Sequence, residues 1–391
     1  MTARRVFFYV QHLLGIGHYK RAVTLVNAMT RSGMEVTMAS GGHPLPALPV
    51  HAARLVQLPA AGTADLTFRT LLDAQGQPVD DAWKARRAAR LLEAFDQADP
   101  HALVIELFPF GRRQMRFELL PLLEAARLRS PAPVRVSSVR DVLGGGQKDT
   151  ARQDQMLQAF DRHFDQVLVH GDAGVVPFDA TFRHTAALGQ RMHYTGYVVE
   201  PRVSGAGAGA VGRDEVLVSA GGGAVGQQLL RTAILSRPLT QQRHTRWRLL
   251  AGMNVSEFEL GTLRQLASQA EPGGITVERH RADFVDLLGN CRLSISQAGY
   301  NTTMEVLNCG ARAVLVPFSG GTEIEQSLRA RLLAQRGWIE LLEEAQLTPH
   351  NLALAVDRAA VRPVGPVGAI DLDGARRSAE LLAGWIEERY R

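Results

Sequence analysis

Short apolar runs recur along the chain, each bounded by turn residues and followed by a stretch whose apolar positions fall three and four apart. Arg5–Val10, Glu35–Ala39, Arg54–Leu58, Ala102–Glu106, Val134–Ser137 and Gln166–His170 read as strands. Strands covered on both faces lose the polar alternation of a half-exposed sheet, which is the pattern of parallel α/β sheets. Between them the spacing predicts helices over about 19–31, 81–99, 113–128 and 150–162, the first with Ala22, Leu25, Val26 and Met29 on one face and a stop at Ser32-Gly33. Strand, glycine turn, helix, strand implies a right-handed parallel crossover. Residues 60–78 read as a loop that can act as a flap.

Residues 200–213, rich in Gly, Ala and Pro, read as a linker. A second series follows, with strands at Glu215–Ser219, Arg246–Ala251, Ile275–Arg279, Leu293–Ser296 and Ala313–Val316. A last amphipathic helix spans 371–389 through Leu372, Ala375, Ala379, Leu382 and Ile386. The expected fold class is α/β, with two doubly wound Rossmann-like domains, 1–199 and 214–370, facing a cleft. No short-period repeat is visible, which excludes a solenoid.

A chain of 391 residues fits two domains. Its net charge of +5 comes mainly from Arg and reads as a mildly basic soluble protein, with anionic substrates or a membrane surface as the alternatives and no nucleic-acid partner expected. No apolar run is long enough to span a bilayer, and Val6–Val10 reads as a first strand, not as a signal peptide. Cys291 and Cys309 sit in apolar context, as core thiols of a reducing, cytoplasmic setting.

Polar loops follow the strands, where open α/β sheets bind ligands. After the first comes Gly15-x-Gly17-His18, which lacks the third glycine of a dinucleotide fingerprint and so disfavours an NAD enzyme. His18 falls in the first turn of a helix, whose dipole favours the neutral imidazole that a general base needs. The plain alternative is a capping or packing histidine, which is also the reading for His12. Arg140-Asp141 follows a later strand. Asp141 is a candidate to orient His18 or bind an acceptor, against an exposed turn Asp paired with Arg140. Glu106, at a strand end, either faces an acceptor or caps the next helix. Gly221-Gly222-Gly223 can bring backbone close to a pyrophosphate, as plain turn glycines also can.

The most informative stretch is 293–330. Its strand ends at Ser296. Gly299 opens a helix whose first turn holds Asn301 and Thr302 over unpaired backbone N–H groups, suited to an anion. Glu305 lies one turn in, able to accept from a sugar hydroxyl. After Val316-Pro317-Phe318 a Ser/Gly loop leads to Glu325-Gln326. Asp80-Asp81 and Asp371-x-Asp373 read as helix starts and not as metal ligands.

This stretch resembles the donor-binding segment of GT-B glycosyltransferases, most closely family 28, through Ser296, Gly299, Glu305, Val316-Pro317-Phe318 and Glu325-Gln326. Glu325 stands where the family usually has Gln. The resemblance implies a hexosyltransferase moving a sugar from a nucleotide donor, UDP-linked, to an acceptor hydroxyl by inversion, without a metal or other cofactor. It implies His18 as base, with Gly15, Gly17, Glu106 and Arg140 on the acceptor side. The donor would lie against Gly221–Gly223, Ser296, Gly299, Asn301, Thr302, Glu305, Glu325 and Gln326, with Arg281 and Phe284 at the base. It also implies that the last helix crosses back to the first domain. A nucleotide-sugar hydrolase or epimerase, or a binding protein without turnover, stays open. Were the acceptor lipid-linked, Phe108, Phe110, Arg112, Arg113, Met115 and Arg116 would be the membrane-facing candidate, the stronger reading being a buried helix face with solvated arginines.

Overall fold

The computed structural model describes residues 3–391 apart from 14, 47, 49, 52, 64–69, 145–148, 201–210, 221–225, 254, 271–272, 319–323 and 365–367. The chain divides into two compact units, Met1–Glu200 with Asp371–Arg391, and Pro201–Ile370.

The first unit contains, in chain order, β1 Arg4–Val10, α1 Gly17–Arg31, β2 Met34–Ser40, β3 Arg54–Gln57, α2 Asp81–Ala98, β4 Ala102–Glu106, α3 Arg116–Arg127, β5 Val134–Arg140, α4 Thr150–His163, β6 Gln166–His170, α5 Thr185–Leu188 and β7 Met192–Tyr194. The strands form one sheet in the order β3-β2-β1-β4-β5-β6-β7, every pairing parallel. Successive side chains of β1 face opposite layers, as strand geometry requires. Phe7 and Tyr9 join the core under α2 and α3, whereas Val6, Phe8 and Val10 join the core under α1.

The second unit contains β8 Val216–Ser219, α6 Gln227–Ser236, β9 Trp247–Leu250, α7 Glu257–Ala270, β10 Ile275–Glu278, α8 Phe284–Asn290, β11 Leu293–Gln297, α9 Tyr300–Asn308, β12 Ala313–Val316, α10 Glu325–Gln335, β13 Glu340–Leu341 and α11 Pro349–Ala360. Its sheet, also parallel, runs β10-β9-β8-β11-β12-β13. The last helix, α12 Gly374–Arg389, returns to the first unit, where Ala375, Ala379, Leu382 and Ile386 close the layer beside α1.

Strand order reverses direction between β1 and β4 in one sheet and between β8 and β11 in the other. Such switch points leave a crevice beyond the carboxyl ends of the strands, because the helices that follow the two neighbouring strands depart to opposite faces.

The segment after β4 is tightly packed. Leu107 and Arg112 have φ of 68° and 57°, a left-handed conformation that needs support from its surroundings. Gly111 N–H donates to Leu107 O at 2.8 Å, and Ser137 Oγ donates to Phe108 O at 2.8 Å. Phe110 packs against Phe160, Phe178 and Phe182 at 6.0, 5.8 and 5.2 Å between ring centroids. Phe108, Phe110 and Met115 are therefore core residues, which removes the apolar half of the membrane-facing candidate. Among the described residues no helix is long and apolar enough to cross a membrane.

Candidate active site

In the first unit the switch point between β1 and β4 is occupied by a residue of the helix that follows β1 and by the last residue of β4. α1 begins at Gly17, just after β1, and places His18 in its first turn; Glu106 is the last residue of β4, beside β1. His18 Nδ1 lies 2.7 Å from Glu106 Oε1. Arg21, one turn further along α1, reaches the same carboxylate oxygen. Residues three apart on a helix share a face, so one strand end can hold both. The Glu106 and Arg21 side chains are each 1% exposed, whereas His18 keeps 17% of its side chain open.

Burial pushes the His18 pKa down to about 3; Arg112 and Arg140 reinforce this and Glu106 opposes it. Burial would raise Glu106, but His18, Arg21 and Arg112 outweigh it and bring the carboxyl down to about 2. Glu106 is thus an ionised, acceptor-only group, and His18 a neutral ring. Hydrogen bonding to a carboxylate makes Nδ1 the protonated nitrogen, leaving the lone pair on Nε2. A neutral imidazole with its lone pair on the unheld nitrogen can take a proton from a hydroxyl.

Asp141 lies just after β5 and accepts from Tyr197 Oη at 3.0 Å; the carboxylate on His18 Nδ1 is Glu106. Arg140 ends β5 and adds positive potential at His18. Gly15 and Gly17 flank the turn into α1, and an ideal Cβ on Gly15 would meet nothing within 4 Å. His12 is buried, its pKa lowered by burial to about 4. Gly145 and Gly146 lie outside the described residues.

In the second unit β11 ends beside β8, and α9 starts after two intervening residues. Ser296 is fully buried and shares a hydrogen bond with Ser294, Oγ to Oγ, at 2.8 Å. Gly299 occupies the N-cap position of α9 with no side-chain cap, and no acidic residue sits in the first turn. An ideal Cβ on Gly299 would meet nothing within 4 Å, so the space before it is open. Asn301 and Thr302 are half-buried in that turn. Thr303 Oγ1 is buried there without a hydrogen-bond partner among the described residues. Glu305, 6% exposed, lies one turn on. A helix start with no anion of its own attracts one from a ligand.

Other candidates have local partners. Glu325, 3% exposed, pairs with Arg329 at 2.9 Å, and the Arg329 guanidinium lies 5.1 Å from the Tyr300 ring centroid at the start of α9. Gln326 Oε1 accepts from Phe318 N–H at 3.0 Å and so braces the loop after β12. Arg281 is held in a two-point bond to Asp283 at 2.8 and 2.7 Å, next to half-buried Phe284. Gly221, Gly222 and Gly223 lie outside the described residues. Among the described residues no three His, Cys, Asp or Glu side chains group closely enough to hold a metal ion.

Arg21, Tyr300 and Arg329 are not among the residues the sequence pointed to, and Arg112 figured there only in the membrane-facing candidate. The spacings 18/21 and 325/329 were available, but arginines on helices ordinarily read as solvated.

Residues 217–363 match the model of the glycosyltransferase family 28 C-terminal domain. Curated relatives include the UDP-N-acetylglucosamine--N-acetylmuramyl-(pentapeptide) pyrophosphoryl-undecaprenol N-acetylglucosamine transferases of two bacteria. That of Rhizobium rhizogenes is 25% identical over 169 residues, 42% of this chain and 45% of the relative. That of Nitrosospira multiformis is 32% identical over 151 residues, 37% of this chain and 40% of the relative. The match thus spans less than half the length of these relatives. Among solved structures, Acinetobacter baumannii MurG superposes with a TM-score of 0.61 at 16% identity, covering 97% of this chain and 99% of that one. The glycosyltransferase of kitacinnamycin gives 0.62 at 16% identity, covering 100% and 98%. At these identities the structural likeness establishes the fold, two parallel-sheet Rossmann-like domains of the GT-B kind.

Proposed function

We infer that this chain, a GT-B protein whose second unit belongs with the glycosyltransferase family 28 C-terminal domains, is a glycosyltransferase that moves a sugar from a nucleotide donor to an acceptor hydroxyl. The observation that carries the reading is the neutral His18 ring, held at Nδ1 by the Glu106 carboxylate and partly open to solvent. The acceptor hydroxyl gives its proton to His18 Nε2 while its oxygen forms a bond to the anomeric carbon. The bond from that carbon to the donor phosphate breaks, its electron pair leaves with the nucleoside diphosphate, and the configuration inverts. Glu106 stabilises the imidazolium that forms.

The second unit is the donor side. The α9 start, with Gly299, Asn301 and Thr302, faces the diphosphate, and backbone N–H groups offset its charge without a metal. Glu305 accepts from the ribose hydroxyls, and Gln326 with Glu325 borders the donor sugar. The relatives' names favour a UDP-linked donor.

The test is a thermal-shift screen with UDP, GDP, TDP and NAD, followed by donor turnover with and without acceptor alcohols. UDP should raise the melting temperature, and His18→Ala should keep that shift while losing about 10²–10⁴-fold in transfer. Free sugar released without acceptor would replace transfer by hydrolysis, and no shift with any nucleotide would overturn the reading.

A further inference from the structure

We propose that Arg21 is a positioning residue for His18, acting through Glu106: by sharing the carboxylate oxygen that His18 binds, it keeps Glu106 an acceptor and the imidazole lone pair on Nε2. The inference rests on reading His18 as the base.

The geometry is a buried line of three groups from two elements. His18 Nδ1 and an Arg21 guanidinium nitrogen converge on Glu106 Oε1, while Glu106 Oε2 has no hydrogen-bond partner among the described residues. All contact with the carboxylate is therefore concentrated on one oxygen. Were Arg21 absent, Glu106 would face His18 as the only group bonded to it. Its full charge would then strengthen the imidazole's hold on a proton, so that the lone pair a substrate hydroxyl needs is lost at a higher pH. A cation on the shared oxygen offsets that pull without removing the hydrogen bond that sets the tautomer.

Other charged and titratable groups face the same point. Arg112, from the packed segment after β4, and Arg140, at the end of β5, both disfavour a second positive charge at His18. His12, from the turn after β1, and His170, from β6, sense Glu106 and are themselves neutral through burial. Arg21 differs from these in touching the carboxylate directly.

The test needs neither donor nor acceptor. Full-length protein labelled with ¹⁵N-histidine is titrated by NMR, with His18→Gln identifying the His18 signals. In the unsubstituted protein His18 should stay neutral, in the Nδ1–H tautomer, down to the pH at which the fold is lost. In Arg21→Met its titration midpoint should rise by about one to three units, the effect of a contact charge. Arg21→Lys, which restores the cation, should return it most of the way. If Arg21→Met does not fold, Arg21→Gln, with no charge but a retained donor, is read in the same way. A folded uncharged variant whose His18 keeps its tautomer and midpoint overturns the proposal, as does Arg21→Lys behaving like Arg21→Met. The acid limb of kcat should move up with the midpoint while KM for the donor holds. Absence of sugar transfer with the expected NMR shifts would sink the glycosyltransferase reading and leave the role of Arg21 standing.

Discussion

Glu106 Oε1 sits 2.7 Å from His18 Nδ1, so the carboxylate that holds the imidazole comes from the strand next to β1. A base held in this way depends on its partner's charge. Glu106→Gln should lower kcat for transfer by about ten- to a thousandfold, since the neutral amide cannot stabilise an imidazolium. Donor affinity should be unchanged if, as proposed, the second unit holds the donor. Equal kcat in the variant and the parent protein would refute the pairing as a working dyad.

Three histidines with strongly lowered pKa values make the fold acid-sensitive. His12 is pushed down to about 4, and His18 and His170 to about 3, each chiefly by burial. The His170 ring is built in as a neutral link: Thr195 Oγ1 donates to Gly196 O at 2.8 Å and so accepts from His170 Nδ1–H at 3.0 Å, leaving Nε2 to accept from Ser138 Oγ at 2.7 Å. Their folded values lie below the ordinary 6.5. The unfolded chain therefore binds more protons, and stability falls as pH drops through 6.5 toward 4. Each histidine contributes a slope of about 1.4 kcal/mol per pH unit in that window. Urea midpoints measured between neutrality and pH 5 should decline steeply, and His170→Gln should make the decline shallower, with His101, His163 and His193, also lowered by burial, sharing the remainder.

Glu305 is the donor-side carboxylate to remove. Hydrogen bonds to a charged group are worth about 1.5–3 kcal/mol, so Glu305→Gln should weaken UDP binding by roughly ten- to a hundredfold. Calorimetric titration with UDP is the measurement, and an unchanged affinity would place the ribose elsewhere.

Arg87 and Glu118 form a buried pair with two bonds, Nε to Oε2 at 2.7 Å and Nη2 to Oε1 at 2.9 Å. Arg87 also donates to Gly41 O at 2.9 Å and Pro59 O at 2.6 Å, tying the turns after β2 and β3 to α2. Glu118→Leu alone should destabilise by about 3–5 kcal/mol, because it leaves a buried guanidinium unpaired. Adding Arg87→Met should recover much of that loss, read from the same urea curves.

Much of the fold was legible because strands covered on both faces are plain apolar runs, and because glycine-led turns mark where helices begin. His18 stood out for the same reason: it follows the first strand in a Gly-x-Gly-His turn. Its partner did not. Glu106 and Asp141 both end up beyond strands, and which of them neighbours His18 depends on strand order. β4 lies against β1, whereas β5 is one place further out, and spacing along the chain does not encode that order. Arg21 was invisible for a related reason, since an arginine between Lys20 and Ala22 looks solvated until the face it occupies is known to meet β4. Glu325 reads as a sugar contact from its loop; its ion pair with Arg329 lies one turn on within α10, and the spacing alone does not tell that both side chains are buried. The glycines 221–223 lie outside the described residues.

The return of α12 to the first unit has a consequence for synthesis. Ala375, Ala379, Leu382 and Ile386 complete the layer that contains Val6, Phe8 and α1, yet they leave the ribosome only after all of 201–370. Until then the earlier half carries an uncovered greasy stripe, a target for chaperones and for self-association. A fragment ending at Glu200 should accordingly be recovered as aggregate, and supplying 371–391 as a separate peptide should raise its soluble yield.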